Sequence, residues 1–174
     1  MISNLSKNQY IDPGSSGLPT NYPVPPQTES LLFYIQRNHN LNTVVYELNY
    51  LASGEINQDY PMHAFWIRYN SGGDIAELNY YQNKLAYGYQ SNMISPDSFE
   101  FSFVSYKDLV LYIGKGRDGK FGAFCRINHD MAKLNNIYVY AEEFGVFPNV
   151  KFIELYGQTL KTKVSIYERI NIDL

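Results

Sequence analysis

Between Leu31 and Asn70 the chain reads LLFYIQR, NHNLN, TVVYELNY, a glycine-bearing connector and HAFWIRYN, three apolar runs whose side chains alternate with a period of two. That period suits a strand and excludes a helix, because successive side chains of an extended chain point to opposite faces. In the first run Leu31, Phe33, Ile35 and Arg37 share a face. In the second, Val44, Tyr46, Leu48 and Tyr50 oppose Thr43, Val45, Glu47 and Asn49, and in the third Phe65, Ile67 and Tyr69 oppose Ala64, Trp66 and Arg68. Asn38 to Asn42 supplies three asparagines and a histidine, residues that tolerate left-handed backbone, so a hairpin joins the first two strands.

Alternation continues downstream. Phe99, Phe101 and Phe103 oppose Glu100, Ser102 and Val104, and LVLYIGK from Leu109 is apolar on both sides. Asp118-Gly119 within Gly116–Lys120 predicts a hairpin turn into FGAFCRINH. After a polar NHDMAKLNN come IYVYAEE, FGVFPN, VKFIELYG and a last long strand, TLKTKVSIYERI. Asp74 and Glu77 with Ile75, Leu78, Gln82 and Leu85 at helical spacing predict one short helix from Ile75 to Lys84, and Gly88 reads as a bulge in the strand that follows. The expected fold is mainly β, an antiparallel meander of about nine strands closing into a calycin-like barrel or a two-sheet sandwich, with one short helix. Residues 1–29 hold five of the eight prolines and form a Pro/Gly/Ser-rich arm, leaving 30–174 as a single β domain.

Composition narrows the class. With 45% hydrophobic and 18% charged residues, the 174-residue chain is neither disordered nor a coiled coil. Its 17 tyrosines suit half-buried pleated surfaces and sticky faces. A net charge of −3 gives no electrostatic footprint for nucleic acid. Cys125 is alone, which excludes an intrachain disulfide or a cysteine-based metal cluster, and its apolar setting predicts a buried, inert thiol. MISNLSKNQY has no basic and apolar leader pattern, and no run reaches the length of a membrane span; the expectation is a cytoplasmic chain, although an exported protein stripped of its leader would read alike.

Catalytic signatures such as GxSxG, GxGxxG, HExxH and CxxC are missing, and GKGRDGKFG lacks the ending and the following helix of a phosphate loop. His39, His63 and His129 lie in or beside loops without ligand spacing, so neither a metal nor a cofactor is expected. Three charged residues interrupt apolar faces: Arg37, Glu47 and Arg68. Were those faces to coincide, two guanidiniums and a carboxylate would line one side of the sheet, either as an ion-pair cluster that fixes register or as the anion-gripping floor of a cavity. Tyr46, Trp66 and Tyr87 are the candidate walls, and Lys84 a further cation.

At RNHNLNTVVYELN, FWIRY and QNKLAYGY the chain resembles an uncharacterised bacterial family known only as a domain of unknown function, over roughly Leu31 to Ile170. The resemblance brings no activity, and directs attention to Arg37, Asn42, Tyr46, Lys84, Ala86, Tyr87 and Gly88. Taken with the residues, the leading expectation is a non-enzymatic module binding a small, partly apolar anionic ligand. A hydrolase or isomerase using Glu47 as general base, and a protein-interaction domain with an exposed Tyr-rich face, are the alternatives.

Overall fold

A computed structural model describes residues 21–144 and 147–172. Its strands are β1 (Leu31–Arg37), β2 (Thr43–Leu48), β3 (Met62–Arg68), β4 (Asp74–Glu77), β5 (Tyr89–Ser95), β6 (Ser98–Phe103), β7 (Tyr106–Lys115), β8 (Phe121–Ile127), β9 (Asp130–Phe144), β10 (Phe147–Thr159) and β11 (Ser165–Asn171). They form one sheet in the order β4-β3-β2-β1-β9-β8-β7-β6-β5, with β10 also on β9 and β11 beyond β10. Strand β9 is the trunk. Strand β10 follows one of its edges from Ala132 to Phe144, so β8 and β1 must divide the other: β8 pairs up to Lys133 and β1 takes over at Asn136.

Two arms leave that trunk, β1 to β4 and β8 to β5, and their inner faces close on each other. Phe33 stacks on Tyr46 at 4.5 Å and meets Phe101 and Phe103 at 6.0 Å. Leu111, Ile113, Cys125, Ile127 and Leu155 complete a layer without solvent exposure, each large side chain contributing about 2 kcal/mol of apolar burial. The outermost strands of the arms do not pair. Instead the Tyr89 hydroxyl accepts from the Met62 N–H at 2.9 Å and donates to the Met62 carbonyl at 2.5 Å, while Tyr46 donates to the Tyr87 carbonyl at 2.6 Å. Side chains thus make the seam, and the sheet is a curled half-barrel.

Mainly β structure with one short helix agrees with the sequence; strict antiparallel pairing and a closed calycin-like barrel do not. Strand β1 runs parallel to β9, a long-range pairing that alternation within either strand cannot announce. The expected helix begins later than its periodicity suggested. Asp74 to Glu77 pair with Arg68 to Phe65 as β4, and the cap is Asn79, whose side chain accepts from Gln82 N at 2.8 Å while Gln82 Oε1 accepts from Asn79 N at 2.9 Å. One α-turn, α1 (Tyr80–Gln82), then widens into a π-turn over Asn83–Tyr87. Gly88 ends that turn rather than bulging a strand: a Cβ there would lie 1.9 Å from the Asn83 carbonyl oxygen.

The described residues form eleven strands against the expected nine or so; β4 is one that the sequence read as helix, and two further stretches have other boundaries than expected. Asn128 and His129 take left-handed backbone, φ 53° and 74°, and make a two-residue hairpin, so the supposed polar loop from Asp130 is already β9. A turn around Lys163, φ 55°, splits the expected last strand between the end of β10 and β11. Residues 21–29 carry no regular structure and lie against β1 and β9, Tyr22 donating to the Arg37 carbonyl, Gln36 Nε2 to the Pro23 carbonyl at 3.3 Å, and the Tyr22 ring meeting Tyr138 at 6.0 Å. The rest of the expected arm, residues 1–20, lies outside the described residues. No described helix is long and apolar enough to cross a membrane.

Candidate functional site

The trunk edge is handed from β8 to β1 at Leu134 and Asn135, where neither neighbour pairs. On the opposite edge Tyr156 faces Asn136 and Gly157 faces Leu134, which leaves Asn135 as an extra residue, a bulge that bends β9 at the fork. Gly157 is required there, since a Cβ would come 2.3 Å from the Lys133 carbonyl oxygen. The two arms splay from this point and open a cleft of about 950 Å³. Gln27, Thr28 and Glu29 with Leu31 and Leu32 form one side, and Gly119, Lys120 and Phe121 the other. Lys133 to Asn136 are the floor, and Tyr50, Tyr156, Gly157, Gln158 and Ser165 complete the lining.

Local sequence explains how its cations are placed. Gly122 leaves room for the Lys133 stem, because a Cβ there would lie 2.9 Å from Lys133 Cε. In the β7–β8 turn the Lys120 N–H donates to Asp118 Oδ1 at 3.0 Å; that bond, with the Lys133 and Lys120 charges, holds the Asp118 carboxyl below its usual range and fixes the base of Lys120.

Behind the cleft wall lies a buried carboxylate. Tyr156 donates to Glu154 Oε1 at 3.1 Å, and Glu154, 0% exposed, also accepts from Tyr167 and from Arg169 Nε and Nη2, each at 3.2 Å. Burial, reinforced by the Glu154 acceptor and its charge, pushes the Tyr167 hydroxyl up to about 12. The Arg169 guanidinium rests over the Phe152 ring at 4.1 Å, and Phe152 stacks on Tyr140 at 4.9 Å. From the floor, Asn135 donates to Asn136 at 2.8 Å and Asn136 to Gln36 at 3.2 Å, so the amides of the fork are tied to β1. Sequence reading missed Glu154, Tyr156, Lys133 and Asn135. The signal for Glu154 was present, since it interrupts the Phe152–Tyr156 face as Arg37 interrupts its own.

The family model described as Domain of unknown function (DUF4833) matches residues 33–169. The chain belongs to this family. No curated protein and no solved structure matches it. The matched span of the DUF4833 domain runs from within β1 to within β11 and so contains both arms, the trunk and the fork.

Four of the sequence-derived candidates meet at the seam of this DUF4833 domain. Tyr46 is fully buried between Phe33 and Phe103, and its hydroxyl is raised well above its ordinary value by burial. Trp66 donates to Gln82 Oε1 at 3.1 Å and meets Tyr87 edge-on at 5.3 Å. Arg37 hydrogen-bonds the Tyr87 side chain, whose hydroxyl burial nevertheless raises. The others lie apart. Arg68 pairs with Asp74 at the exposed end of β3, its Nε 3.1 Å from Oδ2, and Lys84 Nζ lies 3.0 Å from the Tyr80 hydroxyl.

Glu47 sits on the opposite face of β2 from Tyr46, in register with His63. His63 Nδ1 is 3.4 Å from Glu47 and Nε2 is 2.9 Å from Glu77. Burial opposes the imidazolium, but the hydrogen bonds and charges of the two carboxylates outweigh it and raise the His63 pKa. The three charges therefore do not share a floor, and neither Arg37, Glu47 nor Arg68 lines the fork cleft or the smaller cleft next to it. Among the described residues no group of three or more His, Cys, Asp or Glu could hold a metal ion. Cys125 is buried in the core, with its thiol pushed up to about 12 chiefly by burial.

Proposed function

We propose that this DUF4833 domain is a non-enzymatic binding module that takes a small, partly apolar anionic ligand at the fork, with Lys120 and Lys133 toward the anion and Leu31, Leu32 and Phe121 against its apolar part. The carrying observation is the cleft itself, about 950 Å³ with two lysines, carboxamides and apolar side chains converging on a break in strand pairing. Support comes also from the interior, where aromatic rings fill the space between the arms. In this reading Arg37, Tyr46, Trp66 and Tyr87 hold the seam of the half-barrel.

Calorimetric titration with phenylacetate, benzoate and hexanoate, each beside its neutral amide, tests the proposal. The carboxylates bind and the amides do not, and the double variant Lys120→Ala/Lys133→Ala weakens binding at least tenfold, about 1.4 kcal/mol. Equal binding of acids and amides, or an unchanged double variant, contradicts it.

A further inference from the structure

We propose that the ligand is a short extended peptide, lying with a free carboxylate toward Lys120 and Lys133 and a basic side chain toward Glu55 and Asp97. This rests on the binding reading above and specifies the molecule. A second cleft of about 480 Å³ adjoins the first and shares Tyr50 and Phe121 with it, so the two make one groove over a pair of aromatic walls. Charge along that groove is polarised. The first cleft holds Lys120 and Lys133 against Glu29, with the exposed Asp118 at its rim in the field of both lysines; the second holds Glu55 and Asp97 against Lys115, whose Nζ is 3.9 Å from Asp97 and 5.3 Å from the Phe121 ring centroid. A ligand with opposite charges at its two ends matches both halves, whereas a simple carboxylate uses only the first.

Backbone supplies the second reason. The β8 ladder to β9 begins at Phe124, leaving Phe121 to Ala123 paired on the β7 side only; β1 meets β9 only from Tyr34; and Leu134 and Asn135 of β9 face the opening. Three strand segments thus turn edges without a strand partner toward one cleft, the Leu31 N–H alone being taken by the Thr28 carbonyl at 3.3 Å, and an extended peptide repeats the N–H and C=O groups that such edges accept. A saccharide has no such repeat.

The test titrates 15N-labelled protein with a pool of acetylated pentapeptides, lysine first, Val, Thr, Ala or Tyr at the next three positions, and a free terminal carboxylate. The peptides bind at least tenfold more tightly than phenylacetate and shift amides in both clefts, including Leu134, Asn135 and Gly54 to Gln58. Amidating the terminus, or replacing the lysine by norleucine, each costs at least threefold. If phenylacetate binds and the peptides bind no better, or shift the first cleft alone, the peptide inference falls and the small-anion reading stands. Tighter binding of a linear uronic acid trisaccharide across both clefts also overturns it, and silence from every probe overturns both.

Discussion

The Tyr156 hydroxyl donates to Glu154 at 3.1 Å, so a cleft-wall ring is held from behind by a carboxylate with 0% exposure. Glu154→Gln removes the carboxylate charge beside the Arg169 guanidinium and turns an amide N–H toward existing donors. Removing one partner of a buried pair costs about 3–5 kcal/mol, and the 36% exposure of the Arg169 side chain puts the expected loss near the lower end. Tyr156→Phe, which removes one donor to a carboxylate that keeps its other donors, costs about 1.5 kcal/mol. Urea unfolding measures both, and equal losses for the two variants contradict the assignment.

His63 gives the protein a pH-dependent clamp across β2, β3 and β4. Both ring nitrogens face carboxylates, and a neutral imidazole has only one N–H to offer, so the geometry favours the protonated ring. Its folded pKa is raised, which means the stabilisation is fully present below the unfolded value of 6.5 and is lost as pH rises through the folded value. The ring is partly exposed and solvent screening keeps the contribution to about 0.5–1 kcal/mol. The melting temperature of wild type relative to His63→Gln falls between pH 6 and 8; parallel pH profiles for the two proteins refute the clamp.

Tyr89→Phe tests the seam. It removes both hydrogen bonds to Met62 while keeping the ring, leaving a backbone N–H and C=O unmatched at an expected cost of about 1–3 kcal/mol. Hydrogen exchange of the Met62 amide accelerates in step with the loss of stability. Unchanged protection at Met62 contradicts a seam role for the Tyr89 hydroxyl.

Strand β6 was legible because it alternates between core and solvent, and β1 and β2 because they are apolar runs, buried on both faces, between turn residues; Phe33, Tyr46 and Phe101 fell where alternation put them. Alternation says nothing about partners, so the parallel β1–β9 pairing and the fork it creates were out of reach. Asp74 to Leu78 misled because a short strand and a helical turn followed one another, and the spacing of Ile75 and Leu78 suits a helix equally well. Arg37 and Glu47 interrupt apolar runs, but face assignment alone cannot tell that pairing sets them on opposite sides of the sheet. Lys120 and Asn135 occupy a turn and a bulge, where no periodic signal operates, and Lys133 lies on a regular stretch of β9 that the sequence placed in a loop.

Binding of a small carboxylate at the fork is tested most directly by amide chemical-shift mapping with phenylacetate. Saturable shifts are expected to concentrate at Leu31, Lys120, Phe121, Lys133 and Asn135 and to be abolished in the Lys120→Ala/Lys133→Ala variant. Saturable shifts centred instead on Arg37, Trp66 and Tyr87, or no saturable shifts, would contradict it.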